Sequence, residues 1–228
     1  MKKISLIFLI SFVVYSCSKS GDSSSPKVVV KLSGCDSIKQ GLLKATSDTV
    51  RLASCLSLSA NDSMRLGLLK IGHRYQGGVI AYFLVPGDPG YDANIKHGLV
   101  ATVADISSNA PWQCGGKTIS VPVGTAIGTG NQNTINIMAG CAIEGIAARL
   151  CGDLVQGGYS DWFLPSKDEL NKLWINRPAI GGFATIYTHY WSSTMSGSFN
   201  AWDQNFSNGD QNPAPQNGAL NVRAIRAF

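Results

Sequence analysis

Residues 157–170 read GGYSDWFLPSKDEL, and this stretch decides the fold of the 228-residue chain. Three segments of similar character follow it: YWSST (190–194), AWDQNFSNG (201–209) and VRAIRAF (222–228). Together they are dense in aromatic residues, turn formers and short polar side chains, but they hold no cluster of catalytic or metal-ligating residues. This combination predicts a rigid, loop-rich binding domain rather than an enzyme.

The end of the first stretch predicts a helix that begins after Ser166. The motif S-K-D-E is a capping box, in which the Ser166 side chain accepts from the Glu169 amide while the Glu169 carboxylate accepts from the Ser166 amide. Leu170, Leu173 and Trp174 then supply the buried face of the helix.

The preceding part of the chain contains two strand candidates and a second helix. Residues 79–85 (VIAYFLV) and 97–103 (HGLVATV) read as strands, the first ended by a proline–glycine pair. A glycine-rich turn at 128–134 leads into a helix whose predicted buried face is formed by Ile135, Met138, Ala142, Ile146 and Leu150. Helices mixed with short strands predict an α+β domain.

The composition excludes several classes of protein. The chain has 25 glycines and only 14% charged residues, which is typical of a globular domain with many turns rather than a disordered or coiled-coil protein. The formal charge of +5 falls to +3 once Lys2 and Lys3 are removed with the leader described next. Because no dense block of lysine and arginine occurs, we do not expect nucleic acid as a partner.

The first residues predict export and a lipid anchor. A positive start (Met1-Lys2-Lys3) precedes an apolar stretch at 4–14, which is shorter than the ~20 residues of a membrane span but fits a secretory signal. It ends in Val14-Tyr15-Ser16-Cys17, which resembles a lipobox, so residues 1–16 are a predicted signal peptide and Cys17 the lipidated residue. Lys19 favours the outer membrane, on its periplasmic face or at the cell surface. The alternative is a plain signal peptide with Cys17 incidental.

A tether and a small repeated segment follow the leader. Residues 17–32 predict a flexible, polar tether, and residues 33–71 an extension in which DSIKQGLLK (36–44) recurs as DSMRLGLLK (62–70). Three tripeptides consist of Asp, then Ser or Thr, then an aliphatic residue, and this order resembles the O-glycosylation acceptor motif of exported Bacteroidota proteins. The acceptor residues in them are Ser37, Thr49 and Ser63. The alternative is a duplicated structural element in which these residues cap turns or helix starts.

Cysteine usage fits an exported protein with disulfides. The residues after the leader include Cys35, Cys55, Cys114, Cys141 and Cys151, an odd number, so at least one stays free or pairs between chains. Cys141 and Cys151 lie about 15 Å apart along an unbroken helix, too far for a bridge that needs ~7 Å. The plausible pairs are Cys35 with Cys55, and Cys114 with Cys141 or Cys151.

Several motifs look catalytic but have simpler explanations. Asp168-Glu169 stands in a helix first turn, where the cap and the helix dipole favour acids. The glycines at 128–130 do not form a nucleotide fingerprint, and the hydroxyls at 192–194 fit a strand edge. There is no C-x-x-C motif and no cysteine–histidine cluster. We therefore expect no catalytic activity, no metal site and no cofactor.

Tryptophans beside amide and acid side chains give the best ligand-binding candidates. A sugar ring needs an apolar surface to stack on and polar groups for its hydroxyls. Most of the tryptophans are expected in the core, but one of Trp191 and Trp202 is expected at a binding surface next to the polar stretch 207–218, predicted as an exposed loop. The predicted ligand-binding residues are Trp191, Asn200, Trp202, Asp203, Asn205, Asn208 and Asp210.

Residues 72–228 resemble the C-terminal domain family named after the collagen-like adhesin Lcl. The resemblance is carried by YQGGVI (75–80), HGL (97–99), WQC (112–114), GTG with Asn133-Thr134 (128–134), AARLC (147–151), GYSDWFLPS (158–166), YWSST (190–194) and VRAIR (222–226). The chain is also similar to lipoproteins of Bacteroidota.

The resemblance implies a C-type-lectin-like α+β fold with two helices and short antiparallel sheets, related to the formylglycine-generating enzymes. The family's namesake domain is associated with binding of sulfated polysaccharide and with oligomerisation. No cysteine follows Cys151 and no Glu-Pro-Asn or Gln-Pro-Asp triplet occurs, so neither oxidase chemistry nor a lectin-type calcium site is expected. The prediction is an adhesin-like binding module for glycan or envelope protein; the alternative is an assembly component of an envelope complex with no soluble ligand.

Overall fold

The computed structural model describes residues 63–64, 67–112 and 124–228. The predicted leader, the tether and most of the extension lie outside these residues, and so do Cys17, Ser37, Thr49, Cys35, Cys55 and Cys114. In chain order the elements are β1 Arg74–Tyr75, β2 Gly78–Phe83, β3 Gly98–Ala101, β4 Ser107–Pro111, α1 Gly130–Gly140, α2 Ala147–Gly152, α3 Lys167–Ile180, β5 His189–Met195, β6 Asn200–Asn205, β7 Gln211–Pro215, β8 Ala219–Val222 and β9 Ile225–Ala227.

The strands form two sheets, and the fold is α+β as predicted. The first sheet has the order β1-β2-β3-β9 and is antiparallel throughout. The second has the order β4-β8-β5-β6-β7, and β5 pairs with β8 in parallel at Tyr190 and Asn221. The prediction of purely antiparallel sheets is therefore wrong for the second sheet. Its parallel pair arises because β8 returns from the far edge and inserts between β4 and β5.

Strand β5 is buried on both faces, because successive residues of a strand point to opposite sides. Trp191 packs into one apolar cluster with Trp112, Trp162 and Val222, while Tyr190 packs into the other. The indole N–H of each buried tryptophan has an acceptor: Trp112 donates to the Ser192 carbonyl at 2.7 Å, Trp191 to the Ala110 carbonyl at 2.8 Å and Trp162 to the Gln156 carbonyl at 3.3 Å. The core therefore accepts these three rings with each indole N–H paired, whereas the buried Nε1 of half-buried Trp174 has no hydrogen-bond partner.

Helix α3 begins as its capping box predicts. The Glu169 amide donates to Ser166 Oγ at 3.3 Å, and the Ser166 amide donates to Glu169 Oε2 at 2.7 Å. Leu170 and Leu173 are fully buried on the predicted face, whereas Trp174 is half-buried.

The single helix predicted through Ile135 and Leu150 is wrong, because the chain forms α1 and α2 with a loop between them. Cys141 has an extended conformation and ends α1, and the Arg149 side chain donates to the carbonyls of Cys141 at 3.0 Å and Met138 at 3.1 Å. The predicted buried face is correct in part: Ile146 is fully buried and Met138 and Leu150 are half-buried, but Ile135 and Ala142 are exposed. Ile137, which was not predicted, is fully buried.

The cysteines of this region are not paired with each other, as predicted. Cys141 is disulfide-bonded, whereas Cys151 is a buried free thiol, so the prediction of Cys151 as a disulfide candidate is wrong. Because Cys151 is free, the partner of Cys141 lies outside the described residues.

Residues 211–215 form an edge strand, so the prediction of an exposed loop over 207–218 is wrong there. Strand β7 pairs with β6 over its whole length and contains Pro213 and Pro215. The prolines obscure the strand in the sequence, but proline is tolerated on an edge strand.

Among the helices that the structure describes, none is long and apolar enough to cross a bilayer.

Candidate functional site

Trp202 lies at the surface where β6 meets the start of α3. Its ring is half-buried, and the Lys167 ammonium stands 3.4 Å from the ring centroid. Lys167 is the first residue of α3, and its amide donates to Thr194 Oγ1 of β5 at 3.0 Å. The exposed Pro213 of β7 is the cross-strand partner of Trp202. We call Trp202, Lys167 and Pro213 the aromatic platform.

A network of side-chain amides holds the aromatic platform in place. Gln204, two residues after Trp202, is completely buried and donates through Nε2 to Asn171 Oδ1 of α3 at 2.8 Å. Gln211 of β7 donates to the Lys167 carbonyl at 2.8 Å and to Gln204 Oε1 at 3.3 Å. These bonds fix α3 against β6 and β7, so the platform is built on rigid elements rather than on a loop.

Beside the first turn of α3 lies an open depression of about 290 Å³. Residues 87–89 and 126–127 line one side, and the other side carries Asp168, Asn171 and Lys172. We call it the α3 depression. It was not predicted from the sequence, because its two walls are separated by about 40 to 80 residues in the chain.

The Asp88 carboxylate of the α3 depression is held by the surrounding structure. Asp88 accepts from the Tyr82 hydroxyl at 2.6 Å and from the Val85 amide at 2.9 Å. Burial and the bond to Asp88 raise the pKa of Tyr82 to about 12, so Tyr82 remains a hydroxyl donor near neutral pH. The carboxylate position is therefore set before any ligand arrives.

Glu169 is a structural residue beneath this surface. Its Oε1 accepts from the Gly128 amide at 2.8 Å and its Oε2 from the Ser166 amide at 2.7 Å, which ties the loop before α1 to the start of α3. Burial raises the pKa of the Glu169 carboxyl. Because both of its oxygens accept from backbone amides, a structural role accounts for Glu169 without acid–base chemistry.

Two of the predicted ligand-binding residues are inside the protein. Trp191 is completely buried, and Asp203 is 4% exposed with its Oδ2 placed 2.8 Å from His189 Nδ1. Burial raises the pKa of Asp203, and its Oδ1 has no hydrogen-bond partner. Neither side chain is accessible, so the prediction that they contact a ligand is wrong.

The other predicted residues lie at or near the two ends of β6. Half-buried Asn205 accepts from the Ser207 amide at 2.9 Å, while exposed Asn208 donates to exposed Asp210 at 2.6 Å. The main-chain carbonyl of half-buried Asn200 accepts from Gln216 Nε2 at 3.2 Å. The structure therefore brings Trp202 together with Lys167 and Pro213, which were not predicted from the sequence. Asn208 and Asp210 lie on the β6–β7 turn and are not part of the aromatic platform.

Two further predictions concern sites of modification or ligation. Ser63 is only 4% exposed, so its hydroxyl is not accessible to a glycan in the folded domain. Within the parts of the chain that the structure describes, no three histidine, cysteine, aspartate or glutamate side chains are grouped to hold a metal ion.

Comparison with known proteins gives a structural neighbour and a family. A solved structure described as the "Crystal structure of a fimbrial protein from Bacteroides ovatus ATCC 8483" is similar with a TM-score of 0.47 and 14% identity, over 69% of this chain and 48% of that chain. This chain thus spans about half the length of that protein. No curated protein matches the chain. The model of the Lcl C-terminal domain matches residues 101–226, more than half of the sequence, and the chain belongs to the Lcl C-terminal domain family.

Proposed function

We propose that this is an exported, lipid-anchored protein of the cell envelope whose C-terminal domain binds glycan without catalysis. The observation that carries the proposal is the aromatic platform: a half-buried Trp202 framed by Lys167 and Pro213 on rigid elements. Membership of the Lcl C-terminal domain family adds support, since the namesake domain is associated with binding of sulfated polysaccharide. Anchoring through Cys17 at the outer membrane is part of the proposal.

The chemistry of the aromatic platform suits a sugar ring. Trp202 offers a flat apolar surface, and Lys167 carries donors on a flexible four-carbon stem. The Lys167 ammonium can therefore leave the indole face and donate to a hydroxyl of the sugar that replaces it. We also propose the C-type-lectin-like plan of the family for this domain; the mixed sheet beside α3 is compatible with it.

The test is a glycan array with the soluble chain from Ser18 onward, comparing wild type, Trp202→Ala and Phe199→Ala. Phe199 is 69% exposed in the β5–β6 turn and is a matched control for loss of an exposed aromatic ring. We expect Trp202→Ala to weaken binding at least tenfold, or ~1.4 kcal/mol, and Phe199→Ala to bind as wild type. Near-ultraviolet circular dichroism confirms that each variant is folded. If Trp202→Ala leaves glycan binding unchanged, the aromatic platform is not the binding site.

The second candidate function is an assembly component that contacts an envelope protein. It is favoured by the exposed apolar side chains of neighbouring Ile186 and Tyr187, which are 72% and 88% exposed. This function predicts no glycan binding by the wild-type protein and co-purification with a stable envelope partner. It also predicts that Ile186→Ser with Tyr187→Ser releases that partner while Trp202→Ala does not.

A further inference from the structure

We infer that the α3 depression is a second subsite for the same ligand, and that the domain binds an internal stretch of a neutral oligosaccharide rather than one terminal sugar. This inference rests on the proposed function. It goes further because it names the class of the ligand. It also assigns a binding site to the α3 depression, which lies next to the aromatic platform at the first turn of α3.

The aromatic platform and the α3 depression are neighbours. Trp202 and Gln204 project from the same face of β6, about 7 Å apart at ~3.3 Å per residue. Gln204 donates to Asn171 at 2.8 Å, and Asn171 lines the depression. One ligand that reaches from the indole ring to Asn171 therefore spans roughly 10 Å, which adjoining units of a sugar chain can do.

The volume of the depression indicates that it holds only part of a ligand. Its volume of about 290 Å³ is just below that of ligand pockets, which run from roughly 300 to 1,000 Å³. The depression is also open to solvent. A sugar unit seated there leaves the rest of the chain outside, and Trp202 is the aromatic surface that the amide network connects to it.

The side chains of the depression favour a neutral polyhydroxyl ligand over a polyanion. Asp88 and Asp168 supply carboxylate acceptors for hydroxyl groups, Lys172 supplies donors, and Pro89 and Ile127 supply apolar surface. The residues that line the depression itself carry two carboxylates and one ammonium, so a sulfate or uronate group seated there would meet net repulsion, while the Lys167 ammonium lies at the platform. Sugar hydroxyls both donate and accept, so they match this set.

The depression is preformed. The Tyr82 hydroxyl and the Val85 amide hold Asp88, and Gln204 holds Asn171. The opposite wall is fixed because Ser166 Oγ donates to the Ala126 carbonyl at 2.9 Å. Little side-chain entropy is then lost on binding, which favours affinity for a weakly apolar ligand such as a sugar.

The experiment is calorimetric titration of the soluble chain with neutral gluco-, manno- and xylo-oligosaccharides, each from the monosaccharide to the tetrasaccharide. For a bound series we expect wild-type affinity to rise about tenfold between the monosaccharide and the trisaccharide. Asp168→Asn should reduce that rise severalfold, whereas Trp202→Ala should weaken binding at every length. Asp153→Asn is the matched control, since the Asp153 side chain is 59% exposed directly after α2.

Three outcomes would overturn the inference. Affinity independent of length would show a single-sugar site. A rise with length that Asp168→Asn leaves intact would show that the second subsite lies outside the α3 depression. In both cases binding that depends on Trp202 keeps the proposed function. If the protein binds none of the neutral series but binds a sulfated tetrasaccharide, the neutral ligand class is rejected and glycan binding itself is retained.

Discussion

The Arg226 guanidinium joins three parts of the chain. It donates to both carboxylate oxygens of Asp161, at 2.6 and 2.8 Å, and to Gln76 Oε1 at 2.6 Å. It also lies 3.9 Å from the centre of the Tyr159 ring. The bond from Arg226 lowers the pKa of Asp161. The last arginine of the VRAIR motif therefore holds the GGYSDW turn against β9.

We predict a pH-dependent loss of stability in Asp161→Asn. A lowered folded-state pKa contributes stability that is present above the ordinary value of 3.8 and is lost as pH falls through the folded pKa. The Asp161 side chain is 56% exposed, so solvent screening limits the loss to about 0.5–1 kcal/mol near neutral pH. Urea unfolding across the acid range should show this difference vanishing below that window. A difference that stays constant with pH would contradict the assignment.

The aromatic platform shows what could be predicted at single residues. The sequence indicates that one of Trp191 and Trp202 lies at a surface, but not which one. Both strand faces are covered along β5, whereas β6 lies next to the edge of its sheet and leaves Trp202 half-buried. Lys167 was missed because its role depends on where α3 meets β6, which no local pattern specifies.

Helix α3 shows how well local signals predict an element. Its start depends on a capping box between residues three positions apart, so the sequence contains the whole signal. The break between α1 and α2 does not have such a local signal. Instead, the Arg149 side chain, which follows the break in sequence, donates hydrogen bonds to the carbonyls of Met138 and Cys141 at the end of α1.

For α3 we predict that Ser166→Ala lowers the free energy of unfolding by about 1–2 kcal/mol. The variant loses the cap to the Glu169 amide and also the bond to the Ala126 carbonyl, which links α3 to the wall of the α3 depression. Urea unfolding measures the change. Ser160→Ala, at an exposed turn position, is the control and should remain within about 0.5 kcal/mol of wild type.

For β7 we predict that its prolines prevent edge-to-edge association. Strand β7 is an edge of the second sheet, and neither Pro213 nor Pro215 can donate to an added strand. Replacing both with valine should produce dimers and larger species in size-exclusion chromatography with light scattering. Asn212→Val adds an apolar residue to the same strand and keeps both prolines. If Asn212→Val associates equally, hydrophobicity rather than the open edge is the cause.

At the scale of the whole molecule, the fold class was predictable but the strand order was not. Alternating and apolar runs give β2 and β3, and β8 and β9 follow one another in the VRAIR region. Two residues, Arg223 and Ala224, separate β8 from β9, yet these strands belong to different sheets. That division is set by contacts between residues far apart in sequence, which no local motif records.

Arg223 lies at the crossing between the sheets and is completely buried. Its Nε donates to Asp105 Oδ1 at 2.8 Å and its Nη1 to the Thr102 carbonyl at 2.6 Å. The Gly182 carbonyl accepts from Nη2, and the guanidinium lies 4.1 Å from the centre of the Phe183 ring. One side chain thus joins β3, the segment before β4 and the end of α3.

We predict that Arg223→Met costs about 3–5 kcal/mol of unfolding free energy, because it leaves the Asp105 charge without its partner in a largely buried position. The Tyr190 hydroxyl, which donates to Asp105 Oδ2 at 2.6 Å, remains but does not neutralise the charge. Adding Asp105→Asn to Arg223→Met should therefore recover part of the loss, which urea unfolding measures. Arg74→Met, at an exposed position of β1, is the control and should stay near wild type. If the double variant is less stable than Arg223→Met by the full cost of Asp105→Asn alone, the two residues act independently. The crossing between the sheets would then be held by packing instead of by this ion pair.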